Sequence, residues 1–267
     1  MLTLPPSLDE RVSFTEDTHV LLRHAAAQAY LQLPAALRQF LALRGVSFKL
    51  GGYYDGVALR GPQQVLSPDR RDNLRKHRNQ SPGVYDKKTK IAYAFEYVLD
   101  RDAVPIIGQR PDPTSVAAGL WHRHGPRAIA RITRHEIWHA VDYNAGLPSR
   151  WPAFRRAYAE DITALGGKKA VRLADLGYFI QDDIPHRGAS ETFAEIGAEL
   201  NGGGVRGKRI TRKFSSCTSF IMDLQREVTA ASRHGMQELV DFMLACKSRG
   251  DVLSYNSSAW RSYVRTV

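Results

Sequence analysis

An α+β fold is what the sequence predicts. Three observations carry that expectation: short β-leaning segments flanked by glycine in the first hundred residues, sustained helical periodicity after residue 126, and no internal repeat or low-complexity tract. The chain has 267 residues, 43% hydrophobic and 24% charged, a globular composition at a length that supports one large domain or two small ones. No Pro/Ser/Gly linker divides it, so a single domain over 1–267 is expected. Its parts would be N-terminal helices and the start of a sheet in 1–82, a central core in 83–200, and a helical C-terminal part in 201–267.

The elements follow in order. Residues 17–44 read as helix: "THVLLRHAAAQAYLQL" is rich in Ala and Leu, and Pro34 opens a second helical segment closed by Gly45. "VSFKL" and "YYDGVALR" are short and β-leaning, and the polar stretch 67–82 reads as a loop with room for a helical turn. "GVYDKKTKIAYAFEYVL", 83–99, reads as a hairpin with Asp86 and Lys87 at its turn, and Ile91, Tyr93, Phe95 and Tyr97 alternating with the other face. Residues 126–145 form the clearest helix, with Pro126 at its start, Gly146 and Pro148 past its end, and a stripe of Ile129, Ile132, Ile137, Ala140 and Val141. Further helices are expected near 151–164, 189–200, 218–231, 235–247 and 258–265.

Composition excludes some functions. No apolar run approaches the roughly 18 residues of a membrane helix. The start, "MLTLPPSLDERVSF", lacks a basic segment followed by an apolar core, so a secretory signal peptide is not expected; the protein would be cytoplasmic or exported by a route that leaves no such signal. Cys217 and Cys246 do not make a disulfide framework and read as buried thiols. The net charge of +11 favours encounter with acidic partners. Yet the basic clusters "RRDNLRKHR" (70–78) and "RGKRITRK" (206–213) lack the interleaved aromatics of a nucleic-acid platform, so nucleic acid is not the expected partner. "GGGVRGKR" misses the phosphate-binding loop pattern at Arg209 and follows a helix rather than a strand, so it reads as a helix stop and turn.

The chemistry sits in "RITRHEIWHAVDYNAG", 131–146. On a helix His135 and His139 fall one turn apart on one face and can aim ring nitrogens at one ion. Glu136 lies about 100° away, placed to act on a water at an open coordination position. With 9 histidines and 27 acidic residues, chance supplies about 0.03 such His-Glu-x-x-His patterns in a chain of this length. One zinc ion is therefore expected, and a third ligand with it. The form that continues His-x-x-Gly-x-x-His is excluded, because Asp142 and Ala145 stand where Gly and His would. A later histidine, His186 or His234, is one way to complete the site. The other is a carboxylate of "RGASETFAEIGAELNGG", where Glu191, Glu195 and Glu199 recur every fourth residue on one helical face. Glu191 is the favoured ligand and His186 the runner-up, with Glu195 and Asp142 as hydrogen-bonding support behind the ligands.

"HEIWHAVD" followed by "ETFAE" resembles the protease domain of anthrax lethal factor and its relatives, zinc proteases of the gluzincin type among bacterial toxins and effectors. The resemblance covers roughly 83–200. It implies a zincin-like metalloprotease domain: a small mixed sheet with an edge strand packed on the active-site helix, followed by a mostly helical part. It implies His135, His139 and Glu191 as ligands and Glu136 as general base. The substrate would be a host-cell protein lying along the sheet edge at Ile91, Ala92, Tyr93, Ala94 and Phe95, and delivery would be by a specialised secretion system. The family's tyrosine seven residues before the ligand glutamate is Ile184 here, which leaves Tyr178 and His186 as candidates for the oxyanion role. Two other readings compete with an endopeptidase: a basic nucleic-acid-associated protein with structural zinc, and a degenerate protease that only binds.

Overall fold

A computed structural model describes residues 11–16, 18–52, 82–99, 116, 121–173, 176–181, 185–202, 207–258 and 260–261. The fold is mixed α+β and mostly helical. Six strands are described: β1 (Val12–Phe14), β2 (Ser47–Leu50), β3 (Gly83–Asp86), β4 (Ile91–Ala94), β5 (Tyr97–Leu99) and β6 (Trp121–Arg123). The helices are α1 (Val20–Leu31), α2 (Ala35–Leu43), α3 (Pro126–Asn144), α4 (Pro152–Ala164), α5 (Gly167–Leu173), α6 (Arg187–Leu200), α7 (Gly207–Lys213), α8 (Ser215–Ser232) and α9 (Met236–Arg249). Short 3-10 turns occupy Pro148–Arg150 and Gly177–Ile180. The expected strand at "YYDGVALR", most of the loop at 67–82 and the cluster at 70–78 lie outside the described residues. Of the helix expected at 258–265, Ser258, Trp260 and Arg261 are helical, and the rest lies outside the described residues. Among the described residues no helix is long and apolar enough to cross a membrane.

The chain divides into two compact units, one of residues 1–29 and 47–136, the other of 30–46 and 137–267. In the first, a four-stranded sheet has the order β1-β2-β4-β3, with β1, β2 and β4 parallel and β3 antiparallel to β4. This corrects the expected position of Ile91–Phe95. Ile91–Ala94 form β4, which is hydrogen-bonded on both sides, so its backbone groups are already used, and Phe95 lies past its end. Among the described residues β3 is the outer strand on that side. The alternation puts Ala92 and Ala94 inward, buried beside Phe48 and Leu50, while Ile91 and Tyr93 are half-exposed. The expected hairpin extends only to Ala94. The chain then turns at Phe95 and Glu96, and Tyr97–Leu99 pairs instead with β6, a three-residue strand without a readable period. At that corner the His124 N–H donates to the Glu96 carbonyl at 2.8 Å, and Arg123 pairs with the buried Glu96 carboxylate at 2.6 Å.

The second unit is a helical core. Trp138, Phe193, Phe154 and Phe220 join edge to face in a chain, with centroids 5.6, 5.5 and 5.2 Å apart, and so tie α3, α6, α4 and α8 together. The start of α8 borrows its cap from α4: the buried Asp161 carboxylate accepts the Ser216 and Cys217 N–H groups at 3.0 and 2.9 Å. Cys217 and Cys246 are free and buried. Burial pushes both thiols up, Cys246 to about 12. The segment read as a helix stop at 202–209 does turn at Gly202, but Gly207 already opens α7.

Candidate metal centre

Helix α3 carries the His-Glu-x-x-His segment in regular α geometry through Pro126–Asn144. Its inner stripe of Ile129, Ile132, Ile137, Ala140 and Val141 is buried, which leaves His135 and His139 half-exposed together on another face. Glu136 is 6% exposed and lies against β3: a Cβ at Gly83 would sit 2.7 Å from its Cγ and 2.9 Å from its Oε1. The bare glycine gives the glutamate the room it occupies.

Glu191 reaches the same place from α6. His135, His139 and Glu191 each offer a ligand atom, all within 4.8 Å of one another. The His139 Nε2 to Glu191 Oε2 distance is 3.3 Å, and these side chains are 14% and 12% exposed. A tetrahedral ion with bonds of about 2.0–2.2 Å holds its ligand atoms roughly 3.3–3.5 Å apart, the spacing of the His139–Glu191 pair, and two imidazoles with a carboxylate are a donor set that could hold a metal ion. His186 does not belong to the group. It is exposed at the start of α6, its backbone is left-handed (φ 69°), and its Nδ1 accepts from Arg155 Nη1. His234 stacks on Tyr255, away from the group.

Tyr178 is 48% exposed, and its hydroxyl donates to Glu191 Oε2 at 2.5 Å. Of the two candidates for the missing tyrosine it is the one that touches a member of the group. Glu195 is buried on α6 one turn beyond Glu191.

Asp142 is wholly buried, and its hydrogen-bond partners are serines rather than a ligand histidine. It accepts from Ser149 N at 2.9 Å, Ser149 Oγ at 2.7 Å and Ser190 Oγ at 3.1 Å. Burial pushes its carboxyl pKa up, against the pull of the two Ser149 bonds. It ties Ser190, the residue preceding Glu191, to the end of α3, and its carboxyl also interacts electrostatically with His139. Sequence reading missed both serines, since nothing local marks them as its partners. It also missed Gly197, where a Cβ would lie 2.1 Å from the Trp138 ring, and Asn201, which accepts from Trp138 Nε1 at 3.0 Å. A glycine inside a strongly apolar helical face was the one available sign of that close approach.

Comparison with known protein families, with curated proteins and with solved structures finds no match.

Proposed function

We propose that the chain is a zinc-dependent endopeptidase with a zincin-like core of the lethal-factor kind, delivered into a host cell to cut a particular protein. The observation that carries this reading is the approach of Glu191 to His139, at 3.3 Å, beside a His-Glu-x-x-His helix. The donor set of two imidazoles and one carboxylate, with a further glutamate between the histidines, is the combination that hydrolysis needs.

His135, His139 and Glu191 would hold the ion. Zinc would supply a Lewis acid that polarises the scissile carbonyl and brings the pKa of a water to about 7. Glu136 takes the proton of the attacking water and hands it to the leaving amine. Tyr178, whose hydroxyl already donates beside Glu191, turns that donor to the oxygen that becomes negative on the substrate. An extended substrate adds to the sheet alongside β3 rather than β4, because β3 is the outer strand on that side among the described residues and passes Glu136 at Gly83.

The test couples metal analysis to substrate mapping. Protein purified with zinc should carry one ion per chain, and peptides from host-cell lysates should be cut by the wild type and not by Glu136→Gln. Cleavage at the wild-type rate by Glu136→Gln would refute the mechanism, and absence of bound metal would refute the site.

A further inference from the structure

Positive charge gathers beside the metal-binding group in the second unit. Arg150 ends the 3-10 turn at Pro148–Arg150, Arg155 lies in the first turn of α4, and His186 and Arg187 begin α6. Arg155 Nη1 and His186 Nδ1 are 2.5 Å apart. A guanidinium has no acceptor and keeps its proton, so His186 must accept on Nδ1. The imidazole is then neutral, and its single N–H is on Nε2. Desolvation, Arg155 and Arg150 all lower its proton affinity, in keeping with that state. Among the described residues neither Arg150 nor Arg155 is paired with a carboxylate. The cluster is joined to the ligand through α6: Arg187 Nε is 4.0 Å from Glu191 Oε1, and His186 is the N-cap of the helix that carries Glu191.

Two guanidinium groups brought near one neutral acceptor repel each other, and an anion among them would reverse the sign of that interaction. A carboxylate matches the planar N–H edge of arginine, and the Nε2–H of His186 adds a neutral donor. We propose that Arg150, Arg155 and His186 form a specificity subsite that holds an aspartate or glutamate side chain of the substrate, flanking the bond to be cut. The inference rests on the endopeptidase reading and adds the substrate class to it. A substrate rich in acid also suits a chain of net charge +11, whose field speeds encounter with it.

Binding and cleavage are measured separately so that the two readings can fail separately. Zinc-loaded Glu136→Gln protein is applied to an array of random-sequence peptides, each paired with a version in which Asp and Glu become Asn and Gln. The acidic members should bind about tenfold more tightly, and salt should weaken the difference. The double variant Arg150→Gln/Arg155→Gln, checked for native circular dichroism, should lose the discrimination. Arg155→Lys, which keeps the charge without the planar edge, should retain part of it and guards against misfolding of the double variant. Wild-type enzyme on the same array should cut beside acidic residues. Equal binding of acid and amide peptides, discrimination that survives the double substitution, or no peptide binding at all overturns the subsite. Discrimination without any cleavage that depends on Glu136 overturns the peptidase reading and leaves the subsite standing.

Discussion

Glu136 is surrounded closely enough by β3 that its substitution must be isosteric to be informative. Glu136→Gln is expected to leave zinc content unchanged and to lower kcat by about 10²–10⁴-fold, read by elemental analysis and peptide cleavage. Tyr178→Phe removes one exposed hydroxyl and little packing; kcat should fall about 10²-fold with the zinc content retained, and an unchanged kcat would remove Tyr178 from the reaction. His124 gives a prediction in pH. Its Nε2 is buried without a hydrogen-bond partner among the described residues, and desolvation, then Arg131 and His122, hold its pKa below the ordinary histidine value. A lowered folded-state pKa means that the unfolded chain takes up the proton first, so stability is full above about pH 6.5 and is lost as pH falls through the folded value. Thermal melts at pH 7.5 and 5 should therefore show a smaller acid loss for His124→Asn than for wild type.

At the level of elements, α3 and α6 are positioned by Trp138 seated on Gly197. Gly197→Ala would push a methyl into the indole; it should cost about 1–3 kcal/mol in denaturant unfolding and weaken zinc binding together. A variant as stable as wild type would show that this contact can relax. The same pair of helices was the most legible part of the chain. The 19 residues of α3 offer several turns of periodicity with proline and glycine at the ends, and the glutamates of α6 repeat at helical spacing. Strands β1 and β6, three residues each, are too short to show a period of two. The alternation of β4 does not itself say which face is inward: alanines at 92 and 94 fill the space beside Phe48 and Leu50, so the bulkier Ile91 and Tyr93 face the other way. Whether β4 is outer or interior depends on β2, some forty residues earlier, and no local pattern encodes it. The serines that hold Asp142 and the arginine that meets His186 are equally non-local.

For the whole molecule, a ligand that binds only the folded chain stabilises it by mass action. Free zinc at about 100 times Kd should add about 2.7 kcal/mol, a rise in Tm of roughly 5–10 °C for a chain of this size. Calorimetry with and without a chelator measures it, and His139→Ala should abolish the shift. Charge acts at the same scale. With +11 overall, association with an acidic substrate should slow as salt rises, while an unchanged on-rate would confine electrostatics to the subsite. The two buried thiols give this unit a clock of its own. Cys217 and Cys246 are both sealed in and both held protonated, so an alkylating reagent can reach them only when the helical core opens. The rate at which they are labelled counts those openings one by one, and a metal that clasps α3 to α6 should make the clock run slow.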